Sequence, residues 1–302
     1  MNRKHQLLAT ILLFLVSLSL AAEEGPRVLL VTAHPDDDAL FAGAVYQITH
    51  ALDGRVDVAV TTNGEGGYKY SDLSIPIYGI DLTDEKTARE RLPGIRKKEM
   101  IAGGSIVGIR NYFFFDQKDT EYTTDLEKGT APWDKDLVRK RLNTILTDGH
   151  YDFVFVMLPV TTTHAHHQGA ALLGLEAVSK LPAESRPIVL GATGYKKSSP
   201  DRVSFTGREG LPLATIKPGS PIFEFDRSRK FGYKNALDYN MIVNWVIAEH
   251  KSQGTMQGVM NALDVEQYFY FNLNREDGIQ KARALFDKLA QAPPPGAWSA
   301  KR

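Results

Sequence analysis

His34, Asp36, Asp37 and Asp38 fall together in the stretch Val28 to Leu40, VLLVTAHPDDDAL, where an apolar run that predicts a buried strand hands over to metal-ligating and proton-carrying groups. That position fits the crevice where open α/β sheets bind ligands. A second polar cluster, His164, His166 and His167, follows another apolar run, Tyr151 to Leu158, YDFVFVML. If the two strand ends are neighbours, His34, Asp37 and one of these histidines give a metal three protein ligands and leave positions for water, as in catalytic zinc sites. Carboxylate plus imidazole without thiolate suits Zn²⁺ and also admits Fe²⁺, Mn²⁺ or Co²⁺.

The elements that must position these groups are legible as alternating strands and helices. Arg27 to Thr32, Val56 to Thr62, Asn111 to Phe115, Tyr151 to Leu158 and Ile188 to Ala192 predict strands. Helical spacing covers Asp38 to Ala51, Trp133 to Leu146, Gln168 to Lys180 and Lys234 to His250. Glu85 to Val107 is rich in Lys, Arg, Glu and Ala, with Pro93-Gly94 expected to divide it into two helices. Pro221 to Phe225 reads as a short strand, and Tyr268 to Asn272 with Asp277 to Leu289 as a last strand and helix. Strands without polar alternation are covered on both faces, so the predicted fold class is α/β: a Rossmann-like, mainly parallel sheet with helices on both faces.

The chain has 302 residues, 36 basic and 36 acidic side chains and a hydrophobic fraction of 43%, which fits one main globular domain and gives no charge argument for nucleic acid. Arg3 and Lys4 precede an apolar run from Leu7 to Leu20 that ends in small residues, so residues 1–22 read as a secretory signal peptide. Export to the periplasm or the extracellular space follows, with membrane contact only through an uncleaved leader. Residues 23–291 form the predicted catalytic domain and 292–302 a Pro-rich tail. The absence of cysteine excludes disulfides, thiolate zinc sites and thiol catalysis.

AHPDDD and the later HAHH together resemble the two motifs of the PIG-L family, also called LmbE-like, of metal-dependent N-deacetylases. Ala33 to Asp38 fill (A/P)HPDD(E/D), and His164 to His167 fill HxxH. The resemblance implies His34, Asp37 and His167 as metal ligands, Asp36 as general base and His164 facing the substrate carbonyl. Looser likeness through Thr62 to Gly66, Arg96-x-x-Glu99 and the Phe-rich strand implies substrate-facing roles for Arg96 and Asp119. It also implies a substrate, small molecule or glycan, that carries an N-acetyl group on an amino sugar. The chain departs from the pattern at His166, where many members have Asp, which changes what a neighbouring imidazole bonds to. The segment His250-Lys251-Ser252-Gln253 resembles a recurrent distal element without a physical role that the residues themselves suggest.

The chemistry implied is attack on an acetamide by a metal-activated water, with Asp36 moving the proton and a donor such as protonated His164 meeting the oxyanion. Other readings compete. Asp38 can be a helix N-cap, Arg96 can pair with Glu99, His166 can be structural, and the run Tyr112 to Phe115 is better read as sheet core than as a sugar platform. At the level of function, the alternatives are a metal-dependent hydrolase of another bond such as an ester, or an inactive secreted glycan-binding protein of the same fold.

Overall fold

Alternation inside the first strand sets the layers: Val28 and Leu30 enter one core cluster, Leu29 and Val31 the other, so both faces of the sheet are covered. The computed structural model describes residues 25–199, 202–260 and 262–293. The expected leader at 1–22 and the tail beyond residue 293 lie outside the described residues. Strands β1 (Arg27–Thr32), β2 (Arg55–Thr62), β3 (Ile109–Gln117), β4 (Phe153–Met157), β5 (Ile188–Tyr195), β6 (Ile222–Asp226) and β7 (Val265–Tyr270) make one sheet in the order β3-β2-β1-β4-β5-β7-β6. The first five pair in parallel, and β7 runs antiparallel to both β5 and β6. The fold is the expected mainly parallel α/β arrangement.

Among the described residues, six longer helices cover the sheet: α1 (Ala42–Ala51), α2 (Glu85–Ile106), α3 (Lys135–Gly149), α4 (Ala165–Ser179), α5 (Tyr239–Glu249) and α6 (Gly278–Gln291). Val45 of α1, Ile242 of α5 and Phe286 of α6 pack into one cluster, and Leu142 of α3 and Val178 of α4 into the other. Among the described residues, no helix is long and apolar enough to cross a membrane. Because β1 is flanked by β2 on one side and β4 on the other, the order in which successive strands are added to the sheet reverses between β1 and β4. The crevice at such a reversal lies outside the carboxyl ends of the strands, and both histidine-bearing segments open there.

Two expectations need correction. The pair Pro93-Gly94 does not divide the third helical segment: α2 is continuous, with Pro93 inside it. Leu92, Arg96, Glu99, Met100 and Gly103 form one buried stripe at helical spacing, so packing along the whole helix outweighs the one backbone hydrogen bond that proline removes. The segment from Asp38 also does not start as α-helix. Asp37–Leu40 is a 3₁₀ turn and α1 begins at Ala42, because the Asp37 carboxylate turns back to accept from the backbone N–H groups of Ala33 and His34 at 2.8 Å each. The polar excursion after Lys197 holds a small hairpin, Gly207–Arg208 with Leu211–Thr215, and Arg208 donates to Gln168 Oε1 at 2.5 Å and to the Pro159 carbonyl, bracing the start of α4.

Candidate metal centre and active site

The helix α4 starts earlier than its periodicity suggests, with His164 at its N-cap and His166 and His167 in its first turn. The histidines are therefore held by regular backbone and are not a solvated loop. Gln168 reinforces the entry by donating to the Thr163 carbonyl at 2.7 Å.

Three atoms converge between the two strand ends. His34 Nδ1 lies 3.1 Å from His167 Nε2 and 3.7 Å from Asp37 Oδ1, and His167 Nε2 lies 3.2 Å from Asp37 Oδ1. Ligands at zinc-like bond lengths in a tetrahedron are about 3.4 Å apart, so this triangle fits a divalent ion. Each ligand is also oriented from behind: the second Asp37 oxygen accepts the two backbone N–H groups, His167 Nδ1 lies 3.1 Å from Thr163 Oγ1, and His34 Nε2 lies 3.1 Å from His166 Nδ1. Burial works against ionised Asp37, yet His167 and His34 hold its carboxyl well below the usual range. His34, His164 and His166 form a second compact group, but it lacks a carboxylate, and the His166 ring is already engaged on both sides.

Asp36 stands beside this triangle without belonging to it. Its Oδ2 is 2.8 Å from Arg96 Nη2, and Arg96 Nη1 donates to the Gly64 carbonyl at 2.9 Å. Gly64 sits at φ +74, and a Cβ there would come within 2.9 Å of Arg96 Nη1, so glycine lets the loop approach the guanidinium. Arg96 is only 3% exposed and clamps the carboxylate of Asp36, while Glu99 on the same helix takes other partners: the Ser252 N–H and hydroxyl, at 2.5 and 2.6 Å, and the Tyr78 hydroxyl. The pairing of Arg96 with Glu99 does not occur. Gln253, next to Ser252, reaches the cavity beside Gly67, which gives the distal segment its role as the wall that locks α2.

Asp119 lies behind the histidines, its Oδ1 3.3 Å from His166 Nδ1 and 3.9 Å from His34 Nε2, its Oδ2 4.0 Å from Arg96 Nη1. Burial alone would raise its carboxyl, but His34, His166 and Arg96 outweigh burial and hold it at about 2. His164 stacks between His34 and Tyr122, with ring centroids 5.1 and 5.0 Å away. Burial, followed by the neighbouring His34, His166 and His167, depresses its imidazole to about 3, so His164 is neutral here, against the protonated donor expected. Its Nε2 has no hydrogen-bond partner. Tyr122 carries no signal in the sequence that would single it out.

His166 is fully buried, and its Nε2 lies 3.2 Å from the Gly129 carbonyl and 2.9 Å from Thr120 Oγ1. A carbonyl only accepts, so Nε2 carries a proton, while Nδ1 sits within reach of both His34 Nε2 at 3.1 Å and Asp119 Oδ1 at 3.3 Å, a junction that orients the His34 ring whose Nδ1 faces the ligand triangle. His166→Leu should therefore weaken metal affinity by about 10- to 100-fold, whereas His166→Asn, which can place a polar group near the former Nδ1, should recover most of it. Competition with a chromogenic chelator measures both, and equal affinities for wild type and His166→Leu would remove this role.

Asp38 does not cap a helix: no backbone N–H reaches its carboxylate. It is buried against His250, also buried, with His250 Nε2 3.5 Å from Asp38 Oδ1 and no hydrogen bond at either end. Burial acts to lower the His250 imidazole, but Asp38 and then Asp36 outweigh it and raise it above its ordinary 6.5. A raised native value adds stability that is fully present below the unfolded value and is lost as pH rises through the native one. His250→Leu leaves a buried carboxylate unpaired at a cost of about 3–5 kcal/mol at acidic to neutral pH. Urea unfolding should show that deficit narrowing as pH rises from the ordinary imidazole range through the raised native value; a deficit independent of pH would mean that His250 is neutral throughout.

The fold and the convergent His and Asp groups define a Rossmann-like α/β protein with a candidate metal centre at the switch between β1 and β4. Residues 29–178, about half of the chain, match the model of the PIG-L family, described as GlcNAc-PI de-N-acetylase. A relative from Bacillus cereus, described as a probable N-acetyl-alpha-D-glucosaminyl L-malate deacetylase 2, is 26% identical over 163 residues, which are 54% of this chain and 66% of the relative. A solved deacetylase triple mutant from the teicoplanin biosynthetic pathway shares the fold at a TM-score of 0.50, with 14% identity over 81% of this chain and 97% of its own. The N,N'-diacetylchitobiose deacetylase of Pyrococcus horikoshii aligns at a TM-score of 0.45 and 16% identity, over 96% of this chain and 87% of its own.

Proposed function

We propose that this chain is an exported, metal-dependent N-deacetylase that removes an acyl group, in the simplest case acetyl, from an amino sugar or related glycan. The observation that carries the reading is Asp36: a carboxylate adjacent to ligand Asp37, outside the ligand triangle, with one oxygen clamped by Arg96 and the other left for a proton. The match of residues 29–178 to the PIG-L family model and the deacetylase activity named for the Bacillus cereus relative support it. The basic, apolar and small-residue order of residues 1–22 supports export.

His34 Nδ1, Asp37 Oδ1 and His167 Nε2 would hold the ion, for which we propose Zn²⁺ on the thiol-free His and Asp set. When bound, such an ion supplies a Lewis acid and an acidified water. The chain's own groups do the rest. Asp36 accepts the proton of the attacking water and later returns it to the leaving amine, its orientation held by Arg96. The neutral ring of His164, stacked on Tyr122 in the cavity wall, can present a ring N–H to the amide oxygen as charge develops there, a contact of the kind worth about 2.7–4 kcal/mol. Asp119 faces His34 and His166 from within the cavity wall and holds the positive side of the cluster in place.

Incubating the mature, zinc-loaded chain with N-acetylated amino sugars and assaying free amine tests the reading. Release of amine that a chelator abolishes is expected. Cleavage of simple esters with no amine release from any amide would replace it with an esterase.

A further inference from the structure

The cavity over the candidate metal centre holds about 650 Å³, within the range of roughly 300–1,000 Å³ that encloses a whole ligand, and far more than an acetamide occupies. Its lining combines two chemistries: Arg96, Asp119, Thr120 and Glu121 are polar, whereas Leu40, Met157, Val243, Ile247, Met256 and Val259 are apolar, with Asn240 and Asn244 set among the apolar residues of α5. Four of these apolar residues lie on α5 or on the short helix Gly254–Gln257 and the turn after it, beyond the 29–178 segment that matches the family.

The charges in the cavity are already committed. Arg96 pairs with Asp36 at 2.8 Å, Lys69 with Glu121 at 3.1 Å and Arg227 with Glu266 at 2.8 Å, where Arg227 also donates to the Ala39 and Leu40 carbonyls. Among the described residues, every Lys and Arg that lines the cavity is thus ion-paired. Apart from a bound metal ion, a substrate bearing carboxylates would have to compete with these pairs for a countercharge, and it would lose hydration against the apolar lining. The apolar character reaches the surface at Val259 of this lining, which is 43% exposed.

Building on the deacetylase reading, we infer that the substrate is an uncharged amphiphile: an amino sugar amide with an alkyl chain, on its acyl or its glycosidic end, that lies along α5 and the Gly254–Gln257 helix. The sugar then faces Arg96, Asp119 and Thr120, and the chain lies against the apolar residues. Continuity with the reacting groups is what selects this occupant, since His34, Asp37, His164 and His167 line the same cavity.

Two substrate series distinguish the ends: N-acetyl, N-butanoyl and N-hexanoyl glucosamine, and methyl, butyl and hexyl glycosides of N-acetylglucosamine, all below micelle formation. Amine release is read on wild type, and binding is read by calorimetry on Asp36→Asn, so that affinity does not depend on turnover. In one series kcat/KM and affinity should rise about threefold per added methylene until the chamber is full, and the series that rises identifies where the chain is attached. Val259→Asp and Met256→Asp should flatten that slope. Flat or falling affinity in both series, a slope unchanged in both variants, or tighter binding of N-acetylglucosaminyl malate than of the methyl glycoside would overturn the inference. A rising binding series with no amide cleaved would instead overturn the deacetylase reading and leave the chamber assigned.

Discussion

Asp36→Asn should keep its metal and lose turnover by about 10²- to 10⁴-fold, the usual effect of removing a general base. The three convergent atoms belong to His34, Asp37 and His167, so the amide replacement leaves all of them in place. What it removes is the proton acceptor and the negative partner of Arg96, whose guanidinium is buried and 4.0 Å from its next carboxylate, Asp119. Some loss of stability therefore accompanies the loss of rate, because a buried cation keeps only its bond to the Gly64 carbonyl and a distant charge. Thermal melting of the loaded variant separates the two effects. Metal content and rate, measured on the same sample, decide the role: loss of metal by Asp36→Asn with retention by Asp37→Asn would exchange the two assignments.

His167→Ala and Asp37→Asn should each lose metal by more than the ~10- to 100-fold typical of an outer-shell change. His167 supplies one corner of the triangle, and alanine leaves only two protein ligands. The case of Asp37 is less obvious. Its two oxygens have separate tasks, Oδ2 accepting from Ala33 and His34 and Oδ1 pointing at the ligand atoms. Asparagine has one oxygen, so it either satisfies the backbone or meets the ion, and the amide nitrogen opposes whichever position it takes. Equilibrium dialysis against a metal buffer measures both variants. Full occupancy in His167→Ala would reject the ligand set, and near-normal turnover by both aspartate variants would sink the hydrolase mechanism.

The groups available for chemistry were legible without coordinates. An apolar strand that ends in His-Pro-Asp-Asp-Asp, and another that runs into His-Ala-His-His, are local patterns, and the parallel α/β class follows from the spacing of strands and helices along the chain. The class allows the two ends to be neighbours, and β1 does pair with β4. The partners of those groups were not legible. Arg96 sits three residues from Glu99 on one helix but reaches Asp36, because the ring of contacts from Ser252 and Tyr78 takes Glu99 first. Asp38 has the look of a cap and instead faces His250, more than two hundred residues away in the chain. Continuity of α2 through Pro93 likewise depended on a buried stripe whose other half is supplied by distant segments. Residue type and local period state which groups exist and which element bears them. Which carboxylate meets which cation is a matter of distances between segments remote in sequence, and a difference of a few ångströms in a low-dielectric interior changes such energies by more than any local preference does.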